Sequence, residues 1–251
     1  MKTTIAAAIS EQVKNGRKAY WVLLDPDDFM PDAASGIASE AAQAGADALL
    51  IGGSLLHSHH FDDFVASVKA AVSIPVILFP GDATQLSSHA DALLYLSLVS
   101  GRNPTNLIGE HVKAAPVIRE IGIEPVPTAY MLVESGGVSS VEFMSNTRPL
   151  PRNKPGIAVA HALAAQYMGM KLVYLEAGSG AEKPVPDAMI AQVKAHIELP
   201  LIVGGGIRDA ETAKAKLAAG ADIIVTGNVL CGENGVSAMR EIAAVVREFG
   251  R

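Results

Sequence analysis

The chain has 251 residues, of which 49% are apolar and 18% charged, and its 20 lysines and arginines against 26 acidic residues give a net charge of −6. This balance argues against a nucleic-acid-binding protein, because such proteins present a basic surface to the phosphate backbone. The one cysteine, Cys231, excludes an internal disulfide and a cysteine-based zinc site, and the apolar runs are too short to span a membrane. We therefore expect a cytoplasmic protein without a transmembrane segment or a nucleic-acid partner.

Short β-branched or leucine-rich runs alternate with alanine-rich amphipathic stretches along the whole chain. That alternation is typical of βα units with a parallel sheet, and eight strands close a (β/α)8 barrel. Because no proline-rich linker divides the chain, we predict one α/β domain, a TIM barrel, over residues 1–251. The predicted strands are Ala19–Leu24, Ala46–Ile51, Pro75–Phe79, Ala90–Leu96, Ile123–Leu132, Lys171–Leu175, Pro200–Val203 and Asp222–Val225.

Three helices have clear boundaries in the sequence. The first begins after Pro31 and ends at Gly45, the expected order of an N-terminal proline and a C-terminal glycine. The second begins with Asp209 as its N-cap and stops at Gly220. These predicted helices are Asp32–Ala44, Asp209–Ala219 and Val236–Phe249.

Two segments, Ala44–Gly52 and Ala219–Gly227, nearly copy each other. Each contains a glycine that ends a helix, an Ala-Asp pair, an apolar run and a glycine at the end of that run. Internal similarity of this kind supports a repeated βα architecture.

Two glycine-rich loops follow the last predicted strands. Gly204–Asp209 follows strand seven and opens a helix, and Thr226–Asn228 follows strand eight. In a barrel of this kind these two loops often hold a phosphate, because glycines let backbone N–H groups approach an anion at a helix N-terminus. Either loop alone is explained by tight-turn geometry, but the pair favours phosphate binding.

Strand six ends in the polar, glycine-containing segment Tyr174–Gly180. Strand alternation places Tyr174 and Glu176 on one face and Leu175 on the other. A carboxylate beside a phosphate site repels the ligand unless it has a chemical role, such as accepting a proton from a hydroxyl. The alternative is a solvated loop glutamate, and we favour the catalytic interpretation.

Strand one ends in a cluster of aspartates, of which Asp25 is the first. Mg²⁺ prefers oxygen ligands, usually one or two carboxylates together with phosphates and water. Ser54 follows strand two, so its hydroxyl is expected to lie close to Asp25. We interpret Asp27 and Asp28 as turn or N-cap residues.

Two further groups of polar residues have less specific patterns. His57, His59 and His60 lack the glutamate of a metalloprotease motif and are interpreted as loop or helix-start residues. The long connection after strand five carries three cations among prolines, and long loops on this face of a barrel are often mobile lids. The cations either offset the acidic total locally or form a solvated surface. These cations are Arg148, Arg152 and Lys154.

Six segments together resemble the geranylgeranylglyceryl phosphate synthase family, which also includes the bacterial heptaprenylglyceryl phosphate synthases. The resemblance extends over nearly the whole chain. The combination of the tyrosine-leucine-glutamate run with the aspartate-proline loop is specific, whereas the triple-glycine loop occurs in many phosphate-binding barrels. The segments are Leu24–Asp27, Gly52–Ser54, Thr128–Val133, Tyr174–Gly180, Val203–Arg208 and Thr226–Asn228.

The resemblance implies a prenyltransferase that uses Mg²⁺ to join a prenyl diphosphate, geranylgeranyl by family default, to the 3-hydroxyl of sn-glycerol 1-phosphate. It implies that Glu176 takes the hydroxyl proton and that Asp25 and Ser54 hold the Mg²⁺. The product would be an ether-lipid precursor, with the prenyl tail in a groove between outer helices, and the chain would form dimers or hexamers. The residues implied to bind glycerol 1-phosphate are Tyr174, Leu175, Glu176, Ala177, Gly178, Ser179, Gly180, Gly205, Gly206, Gly227 and Asn228.

The sequence departs from part of the family at Leu23, where some members have a lysine. In this respect the chain is similar to the broader archaeal and bacterial group of the family rather than to the short-chain bacillus type. The contact that this lysine makes would be absent here or supplied by another cation, such as Arg102 or Lys171.

Two other functions stay open at this point. An isomerase or lyase acting on a sugar phosphate would share the glycine loops, but such enzymes usually have a catalytic lysine, and Lys171 lies at the wrong end of strand six. A non-catalytic phosphate-binding barrel would have no use for Asp25, Ser54 and Glu176 together.

Overall fold

The computed structural model describes residues 4–57, 59–227 and 234–250. Eight parallel strands form a closed barrel in which each strand pairs with the next and β8 pairs with β1. The predicted (β/α)8 TIM barrel is therefore confirmed. The strands are β1 (Ala19–Leu24), β2 (Ala48–Ile51), β3 (Val76–Leu78), β4 (Ala92–Leu98), β5 (Glu124–Leu132), β6 (Leu172–Glu176), β7 (Leu201–Gly204) and β8 (Ile223–Thr226).

Helices form the outer layer of the barrel. Two helices lie between β5 and β6, and a π-helical turn, Thr105–Gly109, leads into the helix that follows β4. Within the described ranges, none of the helices has the length and apolar character needed to cross a membrane. The helices are α1 (Ile5–Lys14), α2 (Pro31–Ala44), α3 (Phe61–Ala71), α4 (Glu110–Ile121), α5 (Ser140–Ser145), α6 (Pro155–Tyr167), α7 (Asp187–Lys194), α8 (Ala210–Ala218) and α9 (Gly235–Phe249).

The helix boundaries confirm the local signals in the sequence. Pro31 is the first residue of α2, and Gly45 ends that helix with a left-handed backbone at φ 110°. Asp209 caps α8, because its Oδ1 accepts the N–H of Thr212 at 2.7 Å. Pro31 has no backbone N–H that would lack a partner at a helix start, and Asp209 supplies an acceptor for such an N–H.

The core has two layers because alternate strand residues point to opposite sides of the sheet. Tyr174 belongs to the cluster inside the barrel, and Leu175 belongs to the cluster between the barrel and its helices. At the N-terminal end of the barrel, Ile9 of α1 packs into the inner cluster. The carboxylate of Glu124 accepts the N–H groups of Ile5 and Ala6, which fixes α1 across this end.

Seven of the predicted strands begin one or two residues too early, and the three that start at Ala46, Ala90 and Asp222 share one feature. In each case an aspartate stands just before the observed strand and accepts the N–H of a residue in the neighbouring strand, at or near its start. The backbone N–H of the same aspartate donates to the carbonyl of that residue, so its side chain and backbone together hold the start of the neighbouring strand. The pairs are Asp47 with Tyr20 (2.8 Å), Asp91 with Val76 (2.8 Å) and Asp222 with Leu201 (2.9 Å).

Candidate active site

The carboxyl ends of the strands surround a cavity of about 930 Å³. Loops after β1, β2, β6, β7 and β8 line it, together with α5 and the start of α9. The structure therefore brings most of the sequence-predicted site residues into one space. Those that line it are Asp25, Ser54, Tyr174, Glu176, Ser179, Gly180, Gly205, Gly206 and Gly227.

Three residues of the implied substrate-binding segment do not line this cavity. The Leu175 and Ala177 side chains are fully buried in the outer layer, so only their backbones can face a ligand. Gly178 instead donates its N–H to Oε1 of Glu176 at 2.6 Å. Asn228, also implied to bind the substrate, lies outside the described residues, as does Cys231.

Glu176 is the last residue of β6 and is only 6% exposed. Burial raises its pKa to about 7, although the N–H of Gly178 opposes this shift by stabilising the charged form. In the described part of the chain no lysine, arginine or histidine forms an ion pair with it. A carboxylate with a pKa near neutrality can accept a proton and release it again, as a general base requires.

Glycines of the loop after β7 leave room for this carboxylate. A Cβ atom on Gly204 would lie 2.8 Å from Oε2 of Glu176. A Cβ atom on Gly205 would collide with Oε1 and lie 2.7 Å from the N–H nitrogen of Gly178, and the φ of +81° at Gly205 also disfavours other residues. The backbone of this loop and the carboxylate therefore share one narrow space.

Tyr174 adds a buried hydroxyl to the same space. Its side chain is fully buried inside the barrel, and its hydroxyl lies beside the Glu176 carboxylate, whose charged form it helps to stabilise. A Cβ atom on Gly204 would lie 2.5 Å from this oxygen. Burial and the nearby Glu176 hold the pKa of Tyr174 well above 10, so its hydroxyl stays protonated and can donate to a ligand.

Asp25 lies at the opposite side of the cavity, directly after β1. Its carboxylate packs against the loop after β2, because a Cβ atom on Gly53 would lie 2.8 Å from its Oδ2. Burial raises the pKa of Asp25, although the N–H of Asp27 donates to Oδ1 at 3.1 Å and opposes the shift. The next residue along that loop, Ser54, also lines the cavity.

The oxygen atoms of Asp25 and Ser54 fit a Mg²⁺ ion, which takes few protein ligands and completes its shell with phosphates and water. Among residues 4–57, 59–227 and 234–250, no group of three or more histidine, cysteine or acidic side chains has metal-binding geometry.

Asp27, Asp28 and His57 also line the cavity and make hydrogen bonds within these loops. Asp27 accepts the N–H of His57 at 2.8 Å and joins the loops after β1 and β2, and the N–H of Asp28 donates to the carbonyl of Asp25. Their turn interpretation is confirmed, but the N-cap interpretation is wrong, because Met30 occupies the N-cap of α2. His60 precedes α3, as predicted for a helix start.

The sequence did not single out Arg208, which lines the cavity beside the glycine loop. Its guanidinium donates to the carbonyls of Gly180 (3.2 Å) and Ala181 (2.9 Å), so it also joins the loops after β6 and β7. Its position just before α8, within the phosphate-type loop, was the signal available. Neither Arg102 nor Lys171 lines the cavity, so neither replaces the lysine of other family members there.

The connection after β5 lines the cavity with residues that precede the three predicted cations, and not with the cations themselves. Val138 to Met144, including α5, line it, whereas Arg148, Arg152 and Lys154 do not. Arg152 instead donates to backbone carbonyls of the neighbouring loops, at Glu134 and Pro184. Arg152 is therefore a surface residue that binds neighbouring loops, and it does not line the cavity as a lid residue would.

A second cavity, of about 280 Å³, adjoins the first. The two share Ser54, Phe79 and Tyr130 among their lining residues, so the second opens beside the Asp25 and Ser54 side of the barrel. It extends between β4 and the helices after it. Its apolar lining includes Leu86, Leu93, Leu96, Leu98, Ala114 and Met144.

The barrel, its two glycine loops and the buried base define a phosphate-binding TIM-barrel enzyme. Residues 11–246 match the PcrB family, and the chain belongs to that family.

Curated relatives agree with this membership. The chain is 44% identical over 246 residues to the geranylgeranylglyceryl phosphate synthase of Chitinophaga pinensis, which covers 98% of this chain and 97% of the relative. It is 47% identical to that of Thermococcus kodakarensis over 89% of this chain and 88% of the relative. The family resemblance in the sequence is thereby confirmed.

A solved structure is similar over the whole barrel. It is the (S)-3-O-geranylgeranylglyceryl phosphate synthase from Thermoplasma acidophilum in complex with its substrate sn-glycerol-1-phosphate. The TM-score is 0.92 at 36% identity, and the match covers 98% of this chain and 99% of that one.

Proposed function

We propose that the protein is a prenyltransferase that joins a prenyl group, geranylgeranyl by family default, to the 3-hydroxyl of sn-glycerol 1-phosphate. The observation that carries this function is Glu176, a buried carboxylate without a cationic partner in the described ranges, which lines the same cavity as the glycine loops, Asp25 and Ser54. Two substrates that meet over this carboxylate would have their phosphates on opposite sides of the cavity. The names of the relatives support the same reaction.

Glycerol 1-phosphate would bind on the β6 to β8 side. The backbone of Gly205 and Gly206 and the N-terminus of α8 favour an anion there, and the guanidinium of Arg208 adds positive charge. The Tyr174 hydroxyl and the Glu176 carboxylate would then face the glycerol hydroxyls. In this arrangement the carboxylate lies next to the group that must lose a proton.

The reaction itself needs one proton acceptor. The 3-hydroxyl oxygen forms a bond to the first carbon of the prenyl group while the bond from that carbon to the diphosphate oxygen breaks, with its electron pair leaving on the diphosphate. Glu176 accepts the hydroxyl proton as the new ether bond forms. Closing this space to water favours attack by glycerol over attack by water.

Asp25 and Ser54 would hold Mg²⁺ on the β1 and β2 side. When bound, the ion would stabilise the negative charge that develops on the departing diphosphate. The prenyl tail would enter the second cavity, since that apolar space opens beside Ser54 and Phe79. This cavity lies between β4 and α4 rather than between outer helices, where the family resemblance implied the groove.

We also propose that the chain forms a homo-oligomer, a dimer or a hexamer. Large apolar side chains are exposed on α4 and at both ends of α6, including Val112, Ile157 and Tyr167, and such surfaces often mark protein contacts. Light scattering of the purified protein measures the number of subunits, and a monomer would contradict this proposal. The single-domain organisation of residues 1–251 and the cytoplasmic location stay predictions.

The decisive experiment incubates the protein with radiolabelled sn-glycerol 1-phosphate, geranylgeranyl diphosphate and Mg²⁺, followed by organic extraction. Label should enter the organic phase, and EDTA should abolish the transfer. Absence of transfer with prenyl diphosphates of every length, despite phosphate binding, would contradict the proposal and favour a sugar-phosphate isomerase or lyase, or a non-catalytic barrel.

A further inference from the structure

Gln85 is a buried side chain that the reaction described above does not use. It lies in the loop of residues 79–91 between β3 and β4 and is 1% exposed. Its Nε2 donates to the carbonyl of Gly53 at 2.8 Å, and its Oε1 accepts the N–H of the same residue at 3.3 Å. One amide therefore binds both polar groups of a single backbone residue.

The two hydrogen bonds from Gln85 to Gly53, called here the clamp, lie just beyond the end of the ladder between β2 and β3. The last ladder hydrogen bond between β2 and the next loop is from the N–H of Phe79 to the carbonyl of Ile51, at 2.7 Å. Beyond it the chain at Gly53 leaves the sheet, and Gln85 supplies the two hydrogen bonds that a neighbouring strand would otherwise give. Because both hydrogen bonds come from one buried side chain, they favour one position of this backbone.

Gly53 separates the two oxygen ligands assigned to Mg²⁺. Its backbone lies against the carboxylate of Asp25, since a Cβ atom there would lie 2.8 Å from Oδ2 and 3.0 Å from Oδ1. Its carbonyl is followed directly by Ser54. The position of the Gly53 backbone therefore determines the distance between the Ser54 hydroxyl and the Asp25 carboxylate.

The loop that carries Gln85 is itself held in place. The carboxylate of Glu110, at the start of α4, accepts the N–H of Ala83 at 2.9 Å. A Cβ atom on Gly81 would collide with the Gly53 carbonyl and lie 3.1 Å from Nε2 of Gln85. The backbones of the two loops are thus in direct contact, and glycine at position 81 permits it.

We propose that Gln85 is a positioning residue, which fixes the Gly53 backbone so that Asp25 and Ser54 can hold one divalent cation together with a diphosphate. This inference rests on the proposed function and adds a residue from a third loop to it. The residue touches neither substrate in this arrangement, because its two polar groups are occupied by Gly53. Its loss should weaken the metal site while leaving the glycerol phosphate side of the cavity unchanged.

The test measures metal binding directly rather than through activity. Electron paramagnetic resonance follows Mn²⁺ binding to the protein in the presence of inorganic diphosphate, and calorimetry measures sn-glycerol 1-phosphate binding. For Gln85→Met, which keeps the length of the side chain but not its amide, we expect about tenfold weaker Mn²⁺ binding. Glycerol phosphate binding should stay within twofold of the wild type.

Two further variants make the result specific. Gln166→Met is the matched control, because Gln166 also accepts a backbone N–H, that of Glu198, at the opposite end of the barrel; its Mn²⁺ binding should equal that of the wild type. Gly81→Ala disturbs the same contact from the other loop at an exposed position, so it answers the question if Gln85→Met does not fold. It should weaken Mn²⁺ binding in the same direction.

Each other outcome overturns the positioning role. Unchanged Mn²⁺ binding in Gln85→Met or, failing that, in Gly81→Ala would show that the clamp has no effect on the metal ligands. Equal loss of Mn²⁺ and glycerol phosphate binding would show a general structural role instead. A wild-type protein that does not bind Mn²⁺ with diphosphate would refute the metal site of the proposed function itself, whereas normal wild-type binding with an unaffected variant refutes the role of Gln85 alone.

Discussion

The two ends of the barrel each contain a buried carboxylate, and the two carboxylates have opposite electrostatic environments. At the N-terminal end, Asp222 is 3% exposed and is bound by the ammonium groups of Lys18 (2.9 Å) and Lys194 and by the N–H of Leu201. At the carboxyl end, Glu176 is 6% exposed and has no ion-pair partner in the described ranges, and its pKa rises to about 7. One end uses a buried charge to hold strands together, and the other leaves a buried carboxylate without an ion pair among the described residues.

The difference follows from where parallel strands leave room. At the N-terminal end, helices and loops return tightly to the next strand, so lysines of the chain fill the space around Asp222. At the carboxyl end the loops open around a cavity, and glycines rather than cations surround Glu176. A base that must accept a proton there cannot be neutralised permanently by a lysine.

The largest expected effect is on turnover in Glu176→Gln. Because the amide cannot accept the hydroxyl proton, we expect kcat to fall about 10³-fold. Gln is similar in shape and its oxygen can still accept the N–H of Gly178, so glycerol phosphate binding should change little. Prenyl transfer measured with labelled glycerol 1-phosphate, together with calorimetric binding, checks both expectations. Turnover within tenfold of the wild type would contradict the role of Glu176 as base.

The second-largest expected effect is on the free energy of unfolding, in a variant at the N-terminal end of the barrel. Asp222→Ala removes the shared partner of Lys18 and Lys194 and leaves the N–H of Leu201 without an acceptor, so the free energy of unfolding should fall by about 4 kcal/mol. Urea denaturation measures this loss, and turnover per folded molecule should stay within twofold. Lys113→Ala, which breaks an exposed pair with Glu110, is the control and should cost less than about 1 kcal/mol. Equal costs in the two variants would show that burial of Asp222 adds nothing.

The third effect concerns stability as a function of pH at the carboxyl end. The pKa of Glu176 is near 4.5 in an unfolded chain and about 7 in the folded protein. Between these values the folded state binds the extra proton, so its stability falls as the pH rises and levels off above pH 7. The full span corresponds to about 3 kcal/mol.

Glu176→Gln should therefore be more stable than the wild type at pH 8 and similar to it below pH 4.5. Urea denaturation at several pH values measures the difference, with Glu120→Gln, at an exposed position, as the control. A wild-type protein whose stability relative to Glu176→Gln does not change between pH 4.5 and 7 would argue against the raised pKa.

The smallest effect is on the metal side of the cavity. Asp25→Asn removes one negative charge from the proposed Mg²⁺ site, so the half-saturating Mg²⁺ concentration should rise about tenfold, with KM for glycerol 1-phosphate nearly unchanged. A Mg²⁺ titration of prenyl transfer checks this result, and Asp63→Asn on the exposed face of α3 serves as control. A titration curve identical to that of the wild type would count against Asp25 as a ligand.

The sequence predicted the barrel because its signals are local and repeated. The eight apolar runs, the glycine at Gly45 and the N-cap at Asp209 each reflect the conformation of a few adjacent residues. Strand alternation also separated Tyr174 and Glu176 from Leu175 correctly. Strand starts were less accurate, and the aspartates at 47, 91 and 222 bind residues of a neighbouring strand that is distant in the chain.

The site was predictable where its residues follow strands directly. Asp25, Ser54 and Glu176 stand at or just beyond strand ends, and the common direction of parallel strands is enough to bring them to one cavity. The sequence could not show that Arg208 lines this cavity or that Arg152 is bound to loop carbonyls. These facts depend on how separate loops pack together.

The sequence by itself therefore determined the fold class and the family and placed the candidate site residues at strand ends, because each depends on local patterns of residue type. Only the tertiary structure decided the pKa values of these residues and the hydrogen bonds that hold their loops. The raised pKa of Glu176 comes from burial by β7 and its glycines, and the clamp of Gln85 on Gly53 joins residues 32 positions apart. Burial and long-range hydrogen bonding are properties of the packed chain, so no local pattern of residues contains them.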